Sequence, residues 1–201
     1  MRKLVAVVVA GLVLFSWGAI SHVVLGLGDA GLESVPASAD ATFAGLPSQG
    51  MTEAGLYFFP SMTEEEQNDP AAMEAWKKKV AVEPSGIVVY APSGVVPMSP
   101  GTFGIELATD LVIAALALFL LCCAAGCCRT LVSRVLFVAM LGALSSIARD
   151  VPFWNWYGFP VTFTVAQIVD SIIGMALVGL VLALIAKPSL DGCAAGEEPP
   201  A

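Results

Sequence analysis

Residues 161–186 read VTFTVAQIVDSIIGMALVGLVLALIA and contain a single ionisable side chain, that of Asp170. A helix needs about 20 predominantly apolar residues to cross the hydrocarbon core of a bilayer, so this stretch predicts a membrane span. Three further apolar runs lie at residues 4–27, 104–125 and 132–149. The chain of 201 residues is 57 % hydrophobic with a mean hydropathy of +0.83, more than a soluble domain carries. The runs predict a membrane all-α fold, a bundle of four transmembrane helices.

Basic residues near the span ends predict the orientation of the helices, because Lys and Arg are retained on the cytoplasmic side. Arg2 and Lys3 precede the first run, Arg129 and Arg134 separate the second from the third, and Lys187 follows the fourth. All five are cytoplasmic if both termini lie inside. We therefore expect a multi-pass membrane protein with both termini in the cytoplasm.

The first run permits a second interpretation. The basic N-terminus, the apolar stretch 4–15 and the small residues Ala19 and Ser21 are typical of a signal peptide cleaved before His22. The apolar run nevertheless continues to Leu25, as a membrane anchor would. We expect an anchor, and cleavage stays the alternative.

The segment between the first two spans differs from the rest in composition. Residues 27–104 carry ten acidic residues and three lysines, which leaves −7 of the chain's net charge of −8. Such a surface argues against binding to nucleic acid or to anionic lipid headgroups. Gly55–Pro60 and Gly86–Pro92 are β-rich runs, and Asp69 followed by Pro70 is typical of a helix start. We predict a small α+β extracytoplasmic domain inserted between helices 1 and 2.

Each predicted span has one face of small and polar residues at helical spacing, the pattern that lets membrane helices pack closely. Ionisable groups inside a span are costly and usually face the bundle interior. We therefore expect the four faces to meet in one buried polar cluster in the outer half of the membrane. Its members are His22, Glu106, Asp110, Arg149, Gln167 and Asp170.

Two interpretations of this cluster stay open. Arg149 could neutralise Asp110 or Asp170 and fix the register of the helices, which is a structural role. Alternatively, three carboxylates against one arginine leave an excess of acid that suits a proton, a cation or a metal, with His22 as relay or ligand. The sequence identifies no metal and requires no cofactor.

Four cysteines follow one another closely at the end of the second span: Cys122, Cys123, Cys127 and Cys128. Their spacing does not match a zinc or ferredoxin motif, and the cytoplasm keeps thiols reduced. We interpret them as small packing residues. Lipid attachment or metal binding, with Cys193 in the tail as a further thiol, is the alternative.

No nucleophile elbow, phosphate-binding glycine loop or HExxH motif occurs, so we expect no enzyme. The first hypothesis is a non-catalytic accessory or structural subunit of a membrane complex, or a small homo-oligomer. Its partners are then the lipid bilayer and other membrane subunits or copies of itself, and not nucleic acid. The alternative is a proton-, cation- or metal-handling protein that uses His22, Asp110 and Asp170.

Several motifs resemble those of an uncharacterised family of small bacterial inner-membrane proteins. They are Trp17…Ser21-His22, Gly55-Leu-Tyr-Phe-Phe-Pro60, Pro84-Ser-Gly86…Tyr90 and Trp154-Asn-Trp-Tyr-Gly-Phe-Pro160. The resemblance covers most of the chain. It implies a location in the bacterial inner (plasma) membrane and brings no activity.

The chain then divides into seven predicted segments. They are transmembrane helix 1 (1–27), the acidic periplasmic domain (28–103), helix 2 (104–128), helix 3 (132–152), an aromatic periplasmic turn (153–160), helix 4 (161–187) and a disordered cytoplasmic tail (188–201). In the turn, Trp154, Trp156 and Tyr157 are typical of an interfacial belt, since each ring has an apolar body and a hydrogen-bonding edge. An aromatic pocket for a small molecule or quinone is the alternative.

Overall fold

The computed structural model describes residues 1–96 and 98–187, so the predicted tail 188–201, with Cys193, lies outside the described residues. The described chain is mostly helical, with four long apolar helices and one two-stranded sheet. It forms two compact units. We call them the helical unit, Met1–Leu32 with residues 98–187, and the acidic unit, Glu33–Val96.

The elements follow one another in a simple order. The helices are α1 (Arg2–Ala19), α2 (Ala37–Ala44), α3 (Glu64–Gln67), α4 (Pro70–Val80), α5 (Pro100–Cys123), α6 (Leu131–Tyr157) and α7 (Val161–Ile185), and the strands are β1 (Gly55–Phe59) and β2 (Gly86–Tyr90). A π-helical turn, Ile20–Val24, continues α1, and a 3₁₀ turn, Leu46–Gln49, follows α2.

The four long helices are α1 with its π-helical turn, α5, α6 and α7. They contain 23 to 27 residues and have mean hydropathies between 2.0 and 2.6. At about 1.5 Å of rise per residue, each is long enough to cross a hydrocarbon core of about 30 Å. The chain is therefore a multi-pass membrane protein.

The acidic unit contains both predicted strands and the helix predicted between them. β1 and β2 pair antiparallel, with Gly55 opposite Tyr90 and Phe59 opposite Gly86. α4 begins where the Asp69 carboxylate accepts the Ala71 N–H at 2.9 Å, which satisfies one of the unpaired amides of the first turn.

A tryptophan ties α4 to the sheet of the acidic unit. The Trp76 Nε1 donates a hydrogen bond to the Pro60 carbonyl at 2.9 Å, and its ring lies 6.4 Å from that of Phe58. These contacts hold α4 against the end of β1.

Two predicted boundaries of the spans are wrong. α6 continues through Pro152 to Tyr157, so Trp154, Trp156 and Tyr157 are helical and exposed, and the predicted turn 153–160 is correspondingly shorter. The helix ends at Gly158 instead, because that residue adopts a left-handed φ of 73° and donates to the Trp154 carbonyl at 3.2 Å.

The second corrected boundary concerns α5. It begins at Pro100 rather than 104, since the Ser99 hydroxyl accepts the Thr102 N–H at 3.1 Å. It ends at Cys123, so Cys127 and Cys128 lie in the connection to α6 and not in the second span.

α1 is the central helix of the helical unit, in contact with both α5 and α7. It approaches α5 at Gly11, where an added Cβ would lie 3.1 Å from the Leu111 Cα. α6 packs along α7, whereas α5 contacts few residues of either. The predicted compact bundle is therefore not closed, because α5 packs mainly against α1.

Candidate functional site

A cleft of about 920 Å³ lies where α5 stands apart from α6 and α7. All four membrane helices line it. The lining includes every member of the predicted polar cluster: His22, Glu106, Asp110, Arg149, Gln167 and Asp170. The helical spacing in the sequence therefore identified six residues, on four separate helices, that line the same cleft.

The six residues are less buried than predicted. Only Asp110 is buried, with 5 % of its surface exposed, while Gln167 and Asp170 are half-buried. The side chains of His22, Glu106 and Arg149 are exposed. The expectation of one buried cluster is wrong because α5 does not close against the α6–α7 pair, which leaves an open cleft in place of a sealed interior.

His22 lies in the π-helical turn that ends the first span, beside Asp170 of α7. Its Nε2 is 3.6 Å from the Asp170 Oδ2. Gly28 holds the imidazole in place from the other side, since an added Cβ there would lie 2.5 Å from the His22 Nδ1. A π-helical turn is rare and often occurs at functional sites, and here it carries the chain's one histidine.

The remaining carboxylate oxygen of Asp170 is unsatisfied. Asp170 Oδ1 is buried and has no hydrogen-bond partner among the described residues. The backbone of the same residue is engaged, because its carbonyl accepts the Trp17 indole N–H at 3.3 Å. That bond fixes the Trp17 ring beside Asp170 in the cleft wall.

Arg149 bonds to its neighbour Asp150 and to neither of the carboxylates that the sequence suggested. Its Nε donates to the Asp150 Oδ1 at 2.8 Å and its Nη2 to the Oδ2 at 3.1 Å. Asp150 is 2 % exposed and also accepts the Ser146 hydroxyl. The interpretation that Arg149 neutralises Asp110 or Asp170 is therefore wrong, since the adjacent carboxylate satisfies the guanidinium first.

Asp150 is the residue of this site that sequence reasoning missed. It lies inside the predicted helix 3 (132–152) but one residue beyond the apolar run 132–149, and it was not placed on the polar face of that helix. A signal was present, because Gly142, Ser146 and Asp150 recur at four-residue intervals and share one buried helix face.

Asp110 makes no hydrogen bond or ion pair with any residue that the structure describes, although it is almost fully buried. Glu106 lies one helical turn before it on the cleft side of α5 and likewise has no such partner. With Asp170 they place three carboxylates in the cleft. The nearby cationic groups are Arg149, already paired with Asp150, and His22 when protonated.

The other section of the cleft is apolar. On each membrane helix, a group of apolar lining residues lies on one side of the polar ones, and these four groups lie at the same end of the cleft. We call this the apolar section, which consists of Leu14, Ile113, Leu116, Leu120, Leu141 and Met175. Three aromatic side chains, Phe15, Trp17 and Phe103, complete the wall.

A metal site is not assembled in the described part of the chain. Within residues 1–96 and 98–187, no three His, Cys, Asp or Glu side chains lie together in a way that could hold a metal ion. Cys122 and Cys128 are buried, whereas Cys123 and Cys127 are exposed.

Comparisons with protein-family models, curated proteins and solved structures find no match for this chain. The resemblance to a family of inner-membrane proteins therefore stays a prediction. The geometry of the cleft is the observation from which a function can be inferred.

Proposed function

We propose that this protein is a non-catalytic membrane protein that binds a positively charged group in the cleft between α5 and the α6–α7 pair. Asp110 is the observation that carries the proposal. An ionisable side chain inside a span is costly and is retained for a function more often than for stability. A carboxylate on a residue that is only 5 % exposed, without a hydrogen-bond or ion-pair partner among the described residues, is costlier still, and a cation in the cleft would remove that cost.

The charge balance of the cleft supports the same proposal. Arg149 has its own carboxylate in Asp150, at 2.8 Å, so the pair contributes little net charge. His22 lies 3.6 Å from Asp170, which leaves Asp110 and Glu106 unpaired. The cleft therefore presents an excess of negative charge to anything that enters it.

The proposed placement is the bacterial inner membrane, with both termini in the cytoplasm and the acidic unit on the periplasmic side. Basic side chains support it, since Arg2 donates to the Ile185 carbonyl and Arg134 to the Cys128 carbonyl. These residues thus lie at the helix ends where the positive-inside rule expects cations. In the chain, the acidic unit follows the C-terminal end of α1 and precedes the start of α5.

An accessory subunit, or a small homo-oligomer, is the second candidate function. It is favoured by the spacing of the cleft residues on α5, which recur every three or four positions as in a helix-packing seam: Phe103, Glu106, Asp110, Ile113, Ala117 and Leu120. In this case the positive charge would belong to a helix of another subunit. A partner that co-purifies in mild detergent, or a stable oligomer, would favour it.

Thermal unfolding in nanodiscs of neutral phosphatidylcholine tests the first candidate. A ligand present at a hundred times its Kd stabilises the folded state by about 2.7 kcal/mol, which corresponds to a rise in Tm of about 5 °C or more. Tetramethylammonium and hexadecylamine are the added cations, and we expect at least one to raise the Tm of the native protein.

The matched variants are Asp110→Asn and Asp29→Asn. Each removes one carboxylate from the helical unit, but only Asp110 lines the cleft. We expect the cation to stabilise Asp29→Asn as it does the native protein and to leave Asp110→Asn unaffected. Equal stabilisation of both variants would contradict a role for the cleft.

A further inference from the structure

We infer that the ligand of this cleft is an organic amine with a long apolar tail, which enters from the bilayer. The inference rests on the proposed function and adds the chemical class of the ligand. It follows from four features of the cleft: the number of its oxygen donors, its aromatic wall, its apolar section and its opening.

The donors suit an ammonium group better than a metal ion. Calcium takes six to eight oxygen ligands and structural zinc takes four ligands in a tetrahedron. No group of even three such side chains is assembled among the described residues. An ammonium group needs only one or two carboxylates, and Glu106 and Asp110 offer two on one helix face.

The aromatic wall of the cleft offers a cation a second type of contact. Ammonium ions are attracted to the faces of aromatic rings, to tryptophan most strongly. Trp17 is held in place by its hydrogen bond to the Asp170 carbonyl at 3.3 Å. Its ring also lies against the α7 backbone, since an added Cβ at Gly174 would be 3.0 Å from the Trp17 Cδ1. A cation near Asp170 would therefore meet a fixed indole.

The apolar section indicates that the ligand has a tail. On α5, Ile113, Leu116 and Leu120 continue the cleft wall for up to three turns beyond Asp110. A proton or an inorganic cation would gain no binding free energy from these apolar side chains. The volume of about 920 Å³ is near the upper limit of small-molecule sites, which supports an extended amphiphile.

The opening of the cleft indicates the route of entry. Because α5 contacts few residues of α6 and α7, the cleft opens sideways between the helices. Leu116 and Leu120 line it and are also 57 % and 41 % exposed, so they lie at its border with the surrounding lipid. A molecule already dissolved in the bilayer can enter there with its amine toward Asp110.

Photolabelling of the full-length protein in neutral phosphatidylcholine nanodiscs tests the inference. The probe is hexadecylamine with a diazirine in its chain, and mass spectrometry locates the labelled residues. We expect labels on the apolar section, most of all on Ile113, Leu116 and Leu120, and we expect excess unlabelled hexadecylamine to remove them. Labels spread evenly over the lipid-facing surface would overturn the inference.

Variants of the acidic residues test the role of charge. Since hydrogen bonds to charged groups are the strong ones, Glu106→Gln combined with Asp110→Asn should weaken labelling about tenfold or more. Asp29→Asn should label as the native protein does. If the double variant does not fold, as judged by gel filtration and circular dichroism, Glu106→Gln alone replaces it, because this side chain is exposed. Unchanged labelling in a folded variant would overturn the inference.

Two further probes separate the failure of the inference from that of the proposed function. Tetramethylammonium has the charge without the tail, and a diazirine-bearing hexadecanol has the tail without the charge. If tetramethylammonium competes as well as hexadecylamine, the cleft binds cations but the inference of a tail is wrong. If the alcohol labels the cleft as strongly as the amine, charge has no role in binding. Both the proposed cation-binding function and the inference of an amine ligand are then wrong.

Discussion

Arg149 and Asp150, adjacent in the chain, form a two-point ion pair in the C-terminal half of α6, with Nε–Oδ1 and Nη2–Oδ2 distances of 2.8 and 3.1 Å. The carboxylate is buried and the guanidinium reaches the cleft. Arg149 therefore bonds to Asp150 and to neither Asp110 nor Asp170, the two cleft carboxylates that it could have neutralised. The excess of carboxylates over unpaired cations in the cleft thus depends on the pairing of Arg149 with Asp150.

Loss of the arginine should destabilise the protein. Arg149→Gln leaves the buried Asp150 carboxylate with only the Ser146 hydroxyl, and because the guanidinium is itself partly exposed we expect a loss of about 1–2 kcal/mol. Thermal unfolding in nanodiscs measures it. Arg129→Gln removes an exposed guanidinium that donates to the Gly126 carbonyl, and it should cost less than about 0.5 kcal/mol. Equal losses in the two variants would contradict the special role of the ion pair.

Gly142 sets the distance between α6 and α7. An added Cβ would lie 2.6 Å from the Ser171 carbonyl oxygen, which is backbone and cannot move alone. Gly142→Ala should therefore push the helices apart and lower stability by about 1–3 kcal/mol. Gly104→Ala is the matched control, since nothing lies within 4 Å of an added Cβ there. A Tm of Gly142→Ala at or above that of the control would show that the helices are not in this contact.

Gly28 should control the position of His22. Gly28→Ala places a methyl group 2.5 Å from the present Nδ1 position, so the imidazole must leave its present position beside Asp170. Because the chain has one histidine, modification by diethylpyrocarbonate reports on His22 alone. We expect the rate of modification to change at least about twofold in Gly28→Ala and to stay constant in Gly104→Ala. A constant rate in both would mean that Gly28 does not contact the ring.

The proposed orientation predicts which cysteines can be labelled from outside the cell. Cys123 and Cys127 are exposed and lie at the end of α5 that we place in the cytoplasm. A membrane-impermeant maleimide should label Ser93→Cys in the acidic unit of intact spheroplasts, and the native cysteines only after lysis. Labelling of the native cysteines before lysis would reverse the orientation.

Much of the fold could be predicted from local features of the sequence. The lengths of the apolar runs predict four spanning helices, and Asp69 with Pro70 predicts the start of α4, because both depend on residues close in the chain. The end of α6 was not predicted correctly, because the helix continues past Pro152 and ends at Gly158.

The candidate site could be predicted only in part. Helical periodicity identified the polar face of each span, and the structure places those six residues on one cleft. Helical periodicity could not supply the distance between α5 and the α6–α7 pair, because that distance depends on contacts between residues far apart in the chain. The pairing of Arg149 was missed for a different reason, since Asp150 lay outside the apolar run that defined the span.

The central claim is that Asp110 binds a cationic group of a ligand in the cleft. Equilibrium binding of radiolabelled hexadecylamine to the purified protein in neutral phosphatidylcholine nanodiscs tests it most directly. We predict one saturable site per chain, with an affinity at least about tenfold lower in Asp110→Asn and unchanged in Asp29→Asn. Equal affinity for the native protein and a folded Asp110→Asn variant would contradict the claim.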